Sequence, residues 1–302
     1  MNPLHVVVAL TTRDNDYQAE QAVTVSDIAV RLGVRIEIIY ADNDAVNQTQ
    51  QLIKVIQSNE RKPAAILVEP VGTGMPQVAK AAVAAGIGWG MINSAPDYIP
   101  DLRRTGNVPV FSISTDQSEV GRIQGEQIGA LMHEGNILYI EGPSASTAAQ
   151  LRTKGMLSTK PTAVTVKSLR GDWTERSGYH SVESWLSLAS SRQMQIKAVI
   201  SQNDVMAMGA RKGLANLMEE DRARWQKIPF TGCDGVTKTG QDWVRRKLLK
   251  ATIITAPAAG PALEMLVKAV KSGTMPPEST LIPPQSLPTI GELQKEAKRA
   301  GA

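Results

Sequence analysis

The fold is decided by KAVISQNDVMAMGA, residues 197–210, where a short apolar run ends at Ile200 and gives way at once to Ser201, Gln202, Asn203 and Asp204. A second stretch, PFTGCDG at residues 229–235, repeats the arrangement. Both put polar side chains just past a strand. In open α/β sheets the carboxyl ends of the strands border the ligand crevice, so Asn203, Asp204 and Asp234 are expected to face one shared cleft.

Apolar runs of this kind recur at residues 4–10, 34–40, 64–68, 88–92, 108–113, 137–140, 163–169, 197–200 and 228–231. Between them Ala22, Val25, Ala29 and Leu32, or Ile53 and Ile56, return at helical spacing, which makes the connections crossover helices and the sheets mainly parallel. Such sheets need helices on both faces. The polar, Pro-rich stretch 93–109 interrupts the series, and we read two similar lobes. Towards the end, residues 251–255 read as one more strand, 261–271 as a helix, Leu281-Ile282 as a short strand before Pro283-Pro284, and 289–302 as a surface helix. A chain that recrosses between lobes does this. The expected division is residues 1–113 plus 256–283 against 114–255 plus 284–302.

Composition sets bounds. With 42% hydrophobic and 21% charged residues over 302 positions there is material for two cores. No stretch approaches the ~18 apolar residues of a membrane span, and the apolar run at residues 5–10 is too short for the h-region of a signal peptide. Two readings of location stay open: a secreted protein whose leader has been removed, or a cytoplasmic one. Cys233 is the single cysteine, so no internal disulfide forms. The net charge of +4 is scattered, with Arg103-Arg104 and Arg245-Arg246-Lys247 its densest groups, and no nucleic-acid partner is expected.

The residues after each apolar run are the candidate site: 11–17 in the first loop, Glu69-Pro70, Asn93-Ser94, 114–117, 141–144, 171–173, Asn203-Asp204 and Asp234-Gly235. Carboxylates and amides can bridge neighbouring hydroxyls and an aromatic ring can cover an apolar C–H face, which suits a neutral polyhydroxylated ligand. Structural readings stand beside these. Asn203 or Asp204 also reads as a helix N-cap, Asp116 with Glu119 as a capping box, Trp173 as a half-buried aromatic, Glu69 as solvated and Arg152 as a surface residue.

Enzyme signatures are sought and mostly absent. His5, His133 and His180 lack metal spacing, so no metal or cofactor is expected, and neither a Gly-x-Ser-x-Gly elbow nor a phosphate loop is present. Gly72-Thr73-Gly74 lacks the third glycine of a dinucleotide fingerprint. Cys233, next to Asp234, reads as a buried, inert thiol.

The segments QNDVMAMGA and TGCDG, with STDQSEVGRIQGEQIGALM, GPSASTAAQLRTKGM and ATIITAP in this order, resemble the periplasmic sugar-binding proteins of the ribose-binding type over nearly the whole chain. The same fold forms the core of lac-repressor-type regulators. The resemblance implies two Rossmann-like α/β lobes joined by a three-crossover hinge. It places Asn15, Tyr17, Glu69 and Asn93 in the pocket from the N-terminal lobe, and Arg152, Trp173, Asn203, Asp234 and Thr255 from the other lobe and hinge. The chain departs from that pattern at Tyr17-Gln18 in place of two aromatics, at Asn93-Ser94 in place of Asp-Arg, at Cys233 in place of an aromatic and at Thr255 in place of glutamine. Ribose specificity is therefore not expected.

The function this implies is non-catalytic: capture of a small sugar or polyol between the lobes and delivery, as a periplasmic monomer, to an ABC transporter permease or a membrane sensor. The alternative is a cytoplasmic effector-binding sensor or regulator. A DNA-binding headpiece would precede the first strand, which Leu4 already opens. An enzyme using the cleft, such as a dehydrogenase, ranks third.

Overall fold

Each apolar run becomes a strand because its β-branched and aliphatic side chains alternate between two helix-covered faces. A computed structural model describes residues 3–59, 62–72, 75–189, 191, 194–215, 223, 225 and 227–300. Of the Gly72-Thr73-Gly74 motif, Thr73 and Gly74 lie outside these, as do the last two residues of the expected C-terminal helix. The chain divides into two compact units, Met1–Thr115 with Pro257–Ile282, and Asp116–Ala256 with Pro283–Ala302. It passes from one to the other after Thr115, Ala256 and Ile282.

In the first unit, β1 (His5–Leu10), β2 (Arg35–Tyr40), β3 (Ala65–Val68), β4 (Gly88–Ile92), β5 (Val110–Thr115) and a late strand, Ser279–Ile282, form one sheet. The order is late strand-β5-β4-β3-β1-β2, and every pairing is parallel. The period of two sorts the side chains. Val7, Ala9, Ile66, Val68, Trp89 and Met91 pack against α2 (Ala45–Gln57), α3 (Pro76–Ala84) and α4 (Ile99–Thr105), whereas Val6, Val8, Leu10, Leu67, Phe111 and Ile113 pack against α1 (Asp16–Leu32) and a late helix, Ala259–Ser272. The Pro-rich stretch 93–109 does not end this unit. Ile99 and Leu102 bury one face of α4, Pro100 occupies its first turn, and the chain returns to the same sheet as β5.

In the second unit the parallel sheet holds β6 (Gly135–Glu141), β7 (Val164–Arg170), β8 (Ile196–Ser201) and β9 (Phe230–Thr231), in the order β7-β6-β8-β9. Its helices are α5 (Gln117–Leu131), α6 (Thr147–Thr159), α7 (Glu175–Leu186), α8 (Asp204–Ala215) and the short α9 (Gly240–Arg245). Next comes β10 (Thr252–Ile254), bridged in parallel to the sheet's edge through Thr231–Ala251 and Asp234–Ile254. The late helix of the first unit is α10 and its late strand β11. The chain ends with β12 (Gln285–Leu287), antiparallel to β10, and α11 (Ile290–Ala300), whose fully buried Leu293 packs with Ala130 and Ala251.

Both sheets reverse their strand order once, between β1 and β3 in the first and between β6 and β8 in the second. At such a point neighbouring connections leave towards opposite faces, opening a crevice at the carboxyl ends. No described helix is long and apolar enough to cross a membrane.

Candidate functional site

At the switch point of the first unit, Asn15 starts α1. Its Oδ1 accepts from the backbone N–H groups of Tyr17 (2.9 Å) and Gln18 (3.2 Å), so the N-cap fixes where Tyr17 leaves the helix. The Tyr17 hydroxyl meets Nδ2 of Asn93 at 3.1 Å, and that nitrogen donates to Oε1 of Glu69 at 3.2 Å. Gln21, fully buried one turn along α1, donates to the Tyr17 hydroxyl and to Oε2 of Glu69, both at 3.4 Å. Its own Oε1 accepts from Ala259 N–H at 2.7 Å. Buried Gln48 braces the loop after β3, donating to the Glu69 carbonyl and accepting from Val71 N–H, each at 2.8 Å. Glu69, whose sequence context also reads as solvated, is held by Asn93 and Gln21 at its carboxylate and by Gln48 at its carbonyl. Gln18 accepts from Thr11 N–H at 3.3 Å, bracing the loop before α1.

In the second unit Arg152 projects from α6 and is 94% buried, not a surface residue. Its Nε donates to Gln117 Oε1 at 2.8 Å and an Nη donates to the Gln202 carbonyl. The guanidinium lies 3.8 Å from Oδ1 of Asp234 and 5.5 Å from the Trp173 ring centroid. Close contact of α5 with α6 sets its position: a Cβ on Gly121 would overlap the Arg152 backbone. The Trp173 ring lies over Gly142, where any side chain would displace it. Behind these, fully buried Gln202 donates to the hydroxyls of Tyr139 (2.9 Å) and Thr153 (2.9 Å) and to the Ala149 carbonyl (3.0 Å), and accepts from Gly142 N–H (2.8 Å). Burial pushes the Tyr139 phenol pKa up, which keeps it neutral as both donor and acceptor.

Asn203 does both things the sequence allowed. Its Oδ1 caps α8 through Met206 N–H at 2.9 Å, and Nδ2 donates to the Trp173 carbonyl at 3.0 Å, tying ring to helix. An amide has four hydrogen-bonding positions, so one donor and one acceptor remain. Asp204 corrects the expectation that it faces ligand. Its carboxylate accepts from Gly235 N–H (2.8 Å) and the Thr252 hydroxyl (2.7 Å), in a space that any side chain on Gly232 or Gly240 would invade. It clamps the β8–α8 and β9–α9 connections together. The Thr255 hydroxyl donates to the Asp234 carbonyl at 3.4 Å, and its N–H to the same oxygen at 3.1 Å. Asp116 caps α5 through Glu119 N–H at 3.0 Å, but Glu119 turns to Arg122 at 2.6 Å, so half of the expected capping box forms.

Backbone conformation singles out the same residues. Asn93 (φ 53°), Trp173 (φ 70°) and Asp234 (φ 102°) are three of six described non-glycine residues with positive φ. For Trp and Asp this costs energy that surrounding contacts must hold, a pattern concentrated at ligand sites. Cys233 is fully buried, and burial pushes its thiol pKa up, with Asp234 and Asp204 adding to the shift and Arg152 opposing it. Among the described residues no cluster of three or more His, Cys, Asp or Glu side chains could hold a metal ion.

Gln21 is what sequence reasoning missed; Gln117 fell in the candidate stretch 114–117 and Gln202 beside Asn203, but the bracing of Arg152 by both was not foreseen. Only its position, one turn into the helix after a site loop, could have flagged Gln21.

Residues 6–274 match the family model of the periplasmic binding protein domain, and the chain belongs to that family. Its sequence is similar to the D-apiose import binding protein of Paraburkholderia graminis, 27% identical over 290 residues, covering 92% of this chain and 85% of that protein. It is similar to the D-allose-binding periplasmic protein of Escherichia coli, 27% identical over 281 residues, covering 89% and 86%. Its fold resembles an ABC transporter solute-binding protein from Bacillus halodurans solved with bound myo-inositol, with a TM-score of 0.80, 20% identity and 98% of each chain covered. The α/β fold with two sets of parallel strands is that of the type I periplasmic binding proteins.

Proposed function

We propose that the protein is a solute-binding protein without catalytic activity, that its ligand is a small neutral polyhydroxylated molecule, a sugar or polyol, and that it delivers this ligand to an ABC importer. The family and the sugar-binding names of its relatives support the reading. So does the chemistry of the two half-sites. Asn15, Tyr17, Glu69 and Asn93 contribute from the first unit; Arg152, Trp173, Asn203 and Asp234 from the second, with Thr255 holding the Asp234 backbone. The observation that carries the proposal is the Arg152–Asp234 pair at 3.8 Å beside Trp173. The charges offset each other, so the pair favours no net charge on the ligand, yet it offers donors and acceptors in fixed directions next to a ring that can cover C–H bonds.

A ligand that binds both half-sites biases the protein towards the state in which both engage it, by no more than its difference in affinity for the two states. The importer reads that state. We further propose a periplasmic location, in keeping with the family, and action as a monomer. The test is a thermal-shift screen over sugars, polyols and nucleosides with tryptophan fluorescence in parallel. A sugar or polyol should raise the melting temperature and perturb Trp173 emission. Stabilisation by nucleosides alone would refute the ligand class.

A further inference from the structure

The carboxyl ends of the second sheet carry the half-site, but its opposite end has a feature that sugar binding does not use. A cavity of about 730 Å³ opens where residues 227–230 enter β9. Five cations line it, Arg211, Lys227, Arg245, Lys247 and Lys250, against one carboxylate, Glu296. Glu296 is already engaged by Lys250 at 2.6 Å, and Arg245 shares Asp242 at 3.3 Å. Among the described residues Arg211, Lys227 and Lys247 have no ion-pair partner. The floor is different in kind: half-buried Ile228, Pro229 and Leu248 present apolar surface there, above the buried Phe230 and Leu249, and the Arg211 guanidinium lies over the Phe230 ring at 5.4 Å.

We propose that this cavity binds a small multivalent organic anion with a flat apolar body. Like charges gathered around one concavity repel each other and raise the local potential for anions, so the arrangement favours an occupant carrying several negative charges. Bare inorganic phosphate would leave the apolar floor wet, and a neutral aromatic would leave the cations uncompensated. A ring body against Ile228 and Leu248 with acidic groups towards Arg211 and Lys247 satisfies both, with Arg211 able to stack and to form paired hydrogen bonds. The volume lies within the range of small-molecule sites.

Calorimetry at low salt with ATP, tripolyphosphate and adenosine as probes separates the two requirements. ATP should bind saturably and at least tenfold more tightly than either fragment, and its affinity should fall as salt rises. Arg211→Gln and Lys247→Gln should each weaken ATP at least fivefold, while the thermal midpoint and the response to sugars or polyols stay as in the parent. Arg104→Gln, an exposed cation of the other unit, should change nothing. No saturable binding of ATP would overturn the proposal. So would equal affinity for ATP and tripolyphosphate, parent-like binding by both lining variants, or equal weakening by Arg104→Gln.

Discussion

The Arg152 guanidinium lies 3.8 Å from an Asp234 carboxylate oxygen, with each side chain only 8% exposed. Two buried charges at that distance are expensive to separate, because removing either leaves the other desolvated and uncompensated. Gln117 and the Gln202 carbonyl hold the arginine whether or not Asp234 is charged. Asp234→Asn keeps a side chain that tolerates φ of 102° while removing the charge. It should leave a folded protein that binds its sugar or polyol at least tenfold more weakly, as read by calorimetry.

Gln21 joins Tyr17, Glu69 and the start of α10. Gln21→Leu fits the space but leaves Ala259 N–H buried without its acceptor, a loss of about 1–3 kcal/mol. The variant should melt lower and also lose ligand affinity, because Tyr17 and Glu69 each lose a donor. Unchanged affinity would confine Gln21 to a structural role.

Asp204→Ala should act on stability rather than on recognition. Its two charge-assisted hydrogen bonds contribute about 1.5–3 kcal/mol each, and both partners are in the interior. Denaturant unfolding should show a drop of roughly 3 kcal/mol or more, with ligand affinity close to that of the parent.

Cys233 should resist alkylation at pH 8 in the folded protein and react at the ordinary rate once unfolded. Its raised pKa means that the folded state keeps the proton longer than the unfolded chain does. The stability this thiol contributes is present below the unfolded thiol pKa and is lost as pH rises above it towards the folded value.

The repeated strand–helix order was legible because a parallel sheet covered on both faces needs continuous apolar strands, as at residues 65–68 and 196–201. The short β9 and α4 were less so, since Phe230-Thr231 is only two residues long and Pro100 disguises a helix start as a loop. At the site, residue types at strand ends pointed to Asn15, Asn203 and Asp234, but which way a polar side chain serves depends on its neighbours. Asn203 and Asp204 are adjacent in sequence, yet one ties the Trp173 carbonyl and the other clamps Gly235 and Thr252. The burial of Arg152 follows from packing between α5 and α6, which no local pattern records.

One neutral ligand should draw on both half-sites. The most direct measurement is calorimetric titration of the best sugar or polyol from the screen into the parent protein, Glu69→Gln and Asp234→Asn, one substitution in each unit. The parent should show a single site per chain and each variant at least tenfold weaker binding, with both free variants still folded and unfolding cooperatively. Parent-like affinity in either variant would contradict it.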